Sequence, residues 1–433
     1  MNELDTLVAA VRVALTRWLD EGDPTNPVHT DDERAFADQA LSRLLDDLAT
    51  ARLAAGRPPM SEATEQRLRR DAFDRLFGVG PLQRYVEDPY LSDVHVRGYD
   101  SVVLKYRDGT RRRGEPVASS DAELIDLVRW IGARQGRTPR RFDEASPELN
   151  LRLPGGARLH AVMSVSLRPH VSIRLHNFEW SHLTELRSLG TIDQALHEFL
   201  SAAVLARFNV VVGGGTGAGK TTFLRALLNE VPPDERIITV EDDLELGLEH
   251  FADQHHDFEV LEARAANVEG AGAVTMDQLV RMALRMDPDR VVVGEARGGE
   301  VLSMLLAMTQ GNDGSMCTVH ASSTREMFDR LAQYASMAEQ HYSADFAYRL
   351  VANAVDFVVH LGRADDGTRV ITSVREVAGA DLHQVLSNEV FAPRFDGRAA
   401  PSGVAFTPDT TARLEAVGFP FHVLDKPDGW WDR

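Results

Sequence analysis

The sequence of 433 residues holds a single cysteine, Cys317. That excludes an intrachain disulfide framework and fits a reducing compartment. The plain reading of such a thiol is a small buried filler. Positive charge is also short: 47 lysines and arginines face 66 aspartates and glutamates, for a net charge of −19. A balance of that sign argues against a chain built to bind nucleic acid. No run approaches the roughly 18 consecutive apolar residues of a membrane-spanning helix. The opening stretch, MNELDTLVAAVRVALTRWL, starts acidic and carries arginines inside its apolar pattern, so it does not read as a secretory signal. What is present is enough chain for two to four domains, each able to bury a core.

One stretch organises the rest, Phe208 to Asn229, FNVVVGGGTGAGKTTFLRALLN. Phe208 and Val210 to Val212 suit a buried strand. A glycine turn follows, and then a helix that must stop before Pro232 and Pro233. Inside lies a full G-x-x-x-x-G-K-[ST] pattern: Gly214, Gly215, Thr216, Gly217, Ala218, Gly219, Lys220 and Thr221, continued by Thr222. Glycines there let backbone N–H groups curl around a phosphate, and the helix N-terminus adds partial positive charge. Lys220 can reach the β- and γ-phosphates of a nucleotide, and the Thr221 hydroxyl can ligate Mg²⁺.

Residues 1–80 read as three amphipathic helices. Thr30 to Glu33 forms a capping box for the second, Ser61 caps the third, and Gly78 ends it. A self-packed bundle is the plain expectation. From residue 81 the period changes. DVHVRG alternates like a strand, Val102 to Arg113 makes a hairpin at Asp108-Gly109, and Ser120 to Glu123 opens a helix. Strands flank Pro154-Gly155-Gly156, and VSIRL adds another. The pattern predicts an α+β domain dense in arginine, including Arg137, Arg140, Arg141, Arg152, Arg158, Arg168 and Arg174. In strands such residues are usually solvated, although a phosphate-handling role competes well. His176 to Gly190 reads as a connector.

After the phosphate loop, RIITVEDDLELGL runs four apolar or β-branched residues into Glu241-Asp242-Asp243. A third strand, DRVVVGEARGGE, delivers Glu295, and a fourth, SMCTVHASS, delivers His320. Ligands bind at the carboxyl ends of strands in open α/β sheets. Glu295 there suits polarising a water for attack on a γ-phosphate, and His320 suits sensing that phosphate. The bland alternatives are a helix-capping glutamate and a satisfied core histidine. Beyond Ala380 the chain is turn-rich, with a short helix near Thr410 to Ala416 and a terminal Trp430-Trp431 pair that packs on its own domain or docks elsewhere. Lying outside every phosphate-facing segment, this tail is expected to be dispensable for hydrolysis.

These blocks resemble the secretion ATPase superfamily of type II and type IV secretion (VirB-type and GspE-like) and type IV pili, nearest to the CpaF-type Tad/Flp pilus assembly ATPases. The carrying segments are GGGTGAGKTT, TVEDDLEL, the run from Val268 to Glu300, and GNDGSMCTVHASS, which correspond to the Walker A, Asp, Walker B and His boxes. FGVGPL and SPELNLRLPGGARLHAV also resemble the family's N-terminal domain. Asn150 and Asn312 depart from the pattern, and the four-cysteine zinc module of type II members is absent.

The resemblance implies an α/β chain: a RecA-like P-loop ATPase domain preceded by an α+β (PAS-like) N-terminal domain and an N-terminal helical segment. The expected boundaries are 1–80 for the helices, 81–178 for the α+β domain, 179–190 for a linker, 191–380 for the ATPase domain and 381–433 for the tail. It implies ATP and Mg²⁺, with Thr221, Glu241 and Asp242 serving the metal, partly through water. Lys220, Glu295, His320 and Glu241 would be catalytic, with Arg158 and Arg174 neutralising transition-state charge; Arg140 or Arg141 are further candidates. It further implies a cytoplasmic homo-hexamer, peripheral to the membrane beneath a platform of inner-membrane proteins, without direct nucleic-acid binding. A type IV secretion or conjugation ATPase is the near alternative; a nucleotide-gated scaffold with negligible turnover is the alternative of another class.

Overall fold

A computed structural model describes residues 3–20, 30–134, 141–175, 181–264, 266–267, 270–338, 342–381 and 383–431. The Thr30 side chain, Arg137, Arg140 and the first part of the expected connector lie outside these. The chain divides into two units, Met1–Asn177 and Phe178–Arg433.

In the first unit α1 (Glu3–Asp20), α2 (Thr30–Ala54) and α3 (Glu62–Phe77) meet through Val8, Val11, Ala37, Leu41, Ala72 and Leu76, all buried. The α3 caps are those expected: the Ser61 side chain accepts from Thr64 N, and Gly78 N–H donates to Asp74 O. A short α4 (Gln83–Val86) leads into β1 (Leu91–Arg97), β2 (Ser101–Tyr106), β3 (Arg111–Gly114), α5 (Asp121–Arg134), β4 (Glu148–Arg152), β5 (Arg158–Val162) and β6 (His170–Arg174). The six strands form one antiparallel sheet in the order β3-β2-β1-β6-β5-β4. One face, with Val94, Val96, Leu159, Val171 and Ile173, packs with Leu124, Val128 and Ile131 of α5. The opposite face carries the alternate, polar positions, as strand period dictates. The helices and this sheet fall in one unit, each with its own buried cluster.

The second unit begins with α6 (Leu183–Ser188) and α7 (Gln194–Leu205). Leu183 and Leu186 are buried in this unit's core, so the described part of the expected linker is built into it. Then come β7 (Val210–Gly214), α8 (Lys220–Leu228), β8 (Ile237–Glu241), β9 (Phe258–Glu262), α9 (Met276–Ala283), β10 (Arg290–Ala296), α10 (Glu300–Met308), β11 (Met316–Val319), α11 (Thr324–Ser336) and α12 (Ala344–Ala354). The chain closes with β12 (Phe357–Arg363), β13 (Arg369–Ala380), β14 (Val385–Pro393), β15 (Ala399–Pro401) and α13 (Pro408–Ala416). All nine strands form one sheet, ordered β15-β14-β13-β12-β7-β11-β10-β8-β9. From β9 to β12 the pairings are parallel; from β12 to β15 they are antiparallel.

The parallel strands are buried on both faces, which explains their unbroken apolar runs. Val210, Val212, Ile237 and Val292 face a core shared with α6, α7 and α8. Val211, Ile238, Val240, Val291, Val293 and Cys317 face a second core under α9 to α12. Burial pushes the Cys317 thiol well above its usual range, as befits an inert filler. The tail is not separate. β14 pairs along β13, and Val390, Phe391, Ala399, Leu414, Phe419 and Val423 join the first of these cores. Trp431 packs against that core too, and its indole N–H donates to Ala399 O. The second unit has the α/β architecture expected of the domain that carries the phosphate loop.

Candidate phosphate and hydrolysis site

The sequence places the phosphate loop between the central strand β7 and α8. Gly219, the residue before the helix, has φ +98°, a left-handed conformation that favours glycine. At Gly214 a Cβ would lie 2.7 Å from the Leu361 carbonyl oxygen of β12, so the loop backbone passes closer to that strand than any side chain permits. The first N–H groups of α8 lack intrahelical acceptors, as at any helix start, and give the loop its anion affinity. Lys220 is 8% exposed. Its Nζ donates to Gly214 O at 3.2 Å and Gly215 O at 3.3 Å, closing the loop over its own helix. Burial pushes the Lys220 ammonium below its usual range, against the pull of Glu295 and Glu245. A buried cation in a glycine cradle fits a polyphosphate, which would restore the charge balance that burial disturbs.

Glu295 reaches the same point from β10. Opposite β11 the register slips: Val293 pairs with Cys317, but Ala296 pairs with Val319. Gly294 and Glu295 thus oppose Thr318 alone, a bulge that re-aims the glutamate. The Thr318 hydroxyl donates to Gly294 O at 2.7 Å and holds the bulge. Glu295 Oε1 lies 2.6 Å from His320 Nε2 and 3.8 Å from Lys220 Nζ. His320 Nδ1 lies 3.3 Å from Lys220 Nζ. Because the ammonium can only donate, Nδ1 accepts and Nε2 carries the proton toward Glu295. Arg297 Nε donates to the other glutamate oxygen at 2.5 Å, and Arg297 also pairs with Asp242 at 3.2 Å. Lys220, His320 and Glu295 are thereby brought into one contact network.

Glu241 behaves differently. It is 1% exposed. Its Oε2 accepts from Glu245 N at 2.7 Å and Leu246 N at 2.8 Å, and Thr239 Oγ1 lies 3.3 Å from Oε1. Burial pushes its carboxyl up to about 7, with the two backbone N–H groups opposing. Those bonds make Glu241 the anchor of the loop that follows β8, and the Arg225 guanidinium donates to Glu245 O on the same loop. The result sets Glu245 beside the phosphate loop, where the Thr221 hydroxyl lies 3.3 Å from its Oε2. Asp242 faces Arg297 instead.

Comparison with known proteins decides the family. Residues 80–400 match the family described as type II/IV secretion system protein. The chain belongs to the type II/IV secretion system protein family. It is a P-loop ATPase of that family. A Mycobacterium tuberculosis (strain H37Rv) protein named for conjugal transfer is 37% identical over 314 residues, covering 71% of this chain and 86% of that relative. VirB11 of the Brucella suis type IV secretion system is 31% identical over 320 residues, covering 67% of this chain and 87% of the relative. The solved structure of the Legionella pneumophila ATPase DotB shares the fold, with a TM-score of 0.50 and 17% identity over 68% of this chain and 79% of that one.

The remaining expected groups of this secretion-family ATPase, Arg158 and Arg174, lie in the first unit. They are direct cross-strand partners on β5 and β6, and Arg152 sits opposite Arg158 on β4. Arg174 Nε lies 3.5 Å from Asp93 on β1, which Lys105 also contacts at 2.9 Å. Burial opposes ionisation of Asp93, yet Lys105, Ser92 and Arg174 together hold it below the usual carboxylate range. Arg141 pairs with Asp143. A cavity of about 320 Å³ in the same unit, lined by Arg12, Arg75, Leu127 and Trp130 among others, includes none of the box residues. Sequence reasoning missed Glu245 and Arg297. Both lie inside the Asp and Walker B boxes, and the available signal is distance from a strand end: a carboxylate in a loop after β8 and a guanidinium two residues past Glu295.

Proposed function

We propose that this ATPase hydrolyses ATP at the Lys220–His320–Glu295 network and that the reaction drives a type IV secretion or conjugation machine. The observation that carries the reading is the convergence of Glu295 and His320, from two neighbouring strands, on the buried lysine of the phosphate loop. The relatives named for conjugal transfer and VirB11 favour this branch over the Tad/Flp pilus branch. The pilus reading stands second, supported by the resemblance of the boxes. Neighbouring genes separate them: coupling-protein genes for the first, pilin and prepilin peptidase genes for the second.

In this reading residues 214–222 wrap the phosphates, Lys220 supplies charge at the β- and γ-phosphates, and His320 reports the γ-phosphate. Thr221 would hold Mg²⁺ together with Glu245 and Asp242. The ion's chemistry is to neutralise charge on the phosphate oxygens. Glu241 serves by orienting the Glu245 loop rather than by direct ligation, because its own oxygens are engaged. Glu295 takes the proton of the attacking water, and Arg297 must yield one contact for it to do so. Arg158 and Arg174 are proposed to neutralise charge on the transferring phosphoryl group. The working form is proposed to be a homo-hexamer at the inner face of the cytoplasmic membrane, acting with inner-membrane platform proteins. Among the described residues no helix is long and apolar enough to cross a membrane.

Steady-state hydrolysis and equilibrium nucleotide binding on the same variants test the reading. Lys220→Ala should lose nucleotide affinity. Glu295→Gln should keep affinity and lose at least about 100-fold in turnover, because an amide cannot accept the proton. Wild-type turnover in Glu295→Gln removes Glu295 as the base, whereas negligible phosphate release by the wild type itself would favour the nucleotide-gated scaffold.

A further inference from the structure

The loop that carries His320 is held from outside its own strand. Ala321 follows His320, and its carbonyl oxygen lies 3.3 Å from Nε2 of His360 on β12. The other ring nitrogen, Nδ1, lies 2.7 Å from Thr372 Oγ1 on β13. His360 is buried, and burial pushes its imidazole below the usual histidine range, so the ring is neutral at physiological pH. A neutral ring has one N–H, and a carbonyl only accepts. The proton therefore sits on Nε2, and the Thr372 hydroxyl donates to Nδ1. Both ends of the ring are fixed.

The same antiparallel strands contact the loop again three residues later. Arg375 of β13 donates to Thr324 Oγ1 at 3.0 Å and is itself held by Glu389 of β14 at 2.8 Å. In register, His360 stands opposite Gly213, at the end of the phosphate-loop strand. One strand therefore flanks the phosphate loop and grips the carbonyl of the residue after His320.

We propose that His360 is a positioning residue for the hydrolysis site: its Nε2–H holds the Ala321 carbonyl and so keeps the His320 imidazole between Lys220 and Glu295. This rests on the role given to His320 above. A histidine that merely satisfies a buried polar position would affect stability and leave the chemistry of folded protein alone. The positioning role predicts more. A side chain that fills the same space without an N–H frees the His320 loop, and its cost appears in turnover of protein that is folded and nucleotide-bound.

The test uses the full chain and ATP, with kcat, KM and ADP affinity measured for His360→Phe, His360→Gln, Thr372→Val and His320→Ala, singly and with His360→Phe combined with His320→Ala. One neutral hydrogen bond lost at a positioning site corresponds to a kcat decrease of about 3- to 10-fold. We expect that decrease in His360→Phe with ADP affinity unchanged within about twofold. His360→Gln, which keeps a donor, should regain most of the rate. His360→Phe should add nothing once His320 is alanine. Thr372→Val, nearly isosteric and less exposed to folding failure, should lower kcat in the same sense. Full kcat in His360→Phe, or in Thr372→Val if the former does not fold, overturns the proposal. So does an undiminished effect of His360→Phe in the His320→Ala background. If His320→Ala alone has wild-type kcat, it is the role of His320 that fails, and that outcome is read separately.

Discussion

Truncation after Gly379 looks harmless from the sequence, since no phosphate-facing segment lies beyond it. The structure predicts the opposite. The cut removes β14, β15 and α13, and with them Val390, Phe391, Leu414, Phe419 and Val423, each at most 5% exposed. Phe391 and Phe419 pack on Phe199 of α7, with ring centroids 5.2 and 6.3 Å away. At roughly 1.5–3 kcal/mol per fully buried large apolar side chain, those five represent about 7–15 kcal/mol. Measured against a compact denatured chain this is an upper figure. A domain's entire stability is about 5–15 kcal/mol. Polar terms add to the loss. Glu376, 1% exposed, accepts from Thr407 N at 2.9 Å and Thr407 Oγ1 at 2.6 Å, and the cut leaves it facing an exposed core. Arg413, which donates to the Ala206 and Arg207 carbonyls, also disappears.

The truncated chain should therefore show no cooperative thermal transition by near-ultraviolet circular dichroism and no saturable ADP binding. A milder version of the same perturbation, Phe391→Ala, should cost about 3–5 kcal/mol and lower the denaturant midpoint of an otherwise intact protein. A truncated chain that unfolds cooperatively near the wild-type Tm and hydrolyses ATP at the wild-type rate would refute this account of the core.

Three further expectations follow from the site. Glu241 has a folded carboxyl pushed up to about 7 from an ordinary 4.5, so its protonated form favours the fold. Relative to Glu241→Gln, the wild type should lose about 3 kcal/mol of stability as pH rises from about 4.5 to about 7, and no more above that; a pH-independent difference in Tm would show that the group ionises normally when folded. Glu245→Ala, which removes the carboxylate beside Thr221, should raise the Mg²⁺ concentration needed for half-maximal hydrolysis several-fold while leaving Tm within a few degrees, and an unchanged Mg²⁺ titration would take Glu245 out of the metal site. Arg158→Ala and Arg174→Ala should cut turnover by about 10³-fold or more with little change in nucleotide affinity; if both changes move the rate less than about threefold, these arginines only pair with carboxylates of their own sheet.

What the sequence made legible was local. The phosphate loop announced itself because an apolar strand, a glycine turn and a helix occur in immediate succession, and each needs its own residue types. Strands β8, β10 and β11 were readable as apolar runs because parallel strands bury both faces. The antiparallel half of the sheet was not. β14 and β15 lie in a stretch whose Pro393 and Gly397 read as loop residues, yet they flank a hairpin turn. Its core partners Phe199 and Phe357 are far away in sequence. Glu245 was hidden for a related reason: three acids in a row at the end of β8 drew the metal role toward Glu241 and Asp242. Only the fold shows that backbone N–H groups engage the first, that Arg297 pairs with the second, and that Glu245 stands beside the Thr221 hydroxyl.

The same comparison explains how the site acquires its geometry. The reacting groups sit where the backbone ladder is broken or has stopped and cannot hold them: Glu295 in the bulge near the end of β10, and His320 just past β11. In each case a neighbouring element supplies the missing restraint. Thr318 of β11 fixes the bulge that aims Glu295. Arg225 of α8 and the Glu241 carboxylate hold the loop that presents Glu245. His360 of β12 grips the carbonyl after His320. These restraints are single polar contacts, each contributing about 0.5–1.5 kcal/mol. That is small beside the two cores, so their loss should leave the fold standing while loosening the site. Stability and catalysis are therefore separable here by position. Apolar changes in β14 and α13 should act on folding, whereas polar changes at Thr318, Arg225 and His360 should act on turnover.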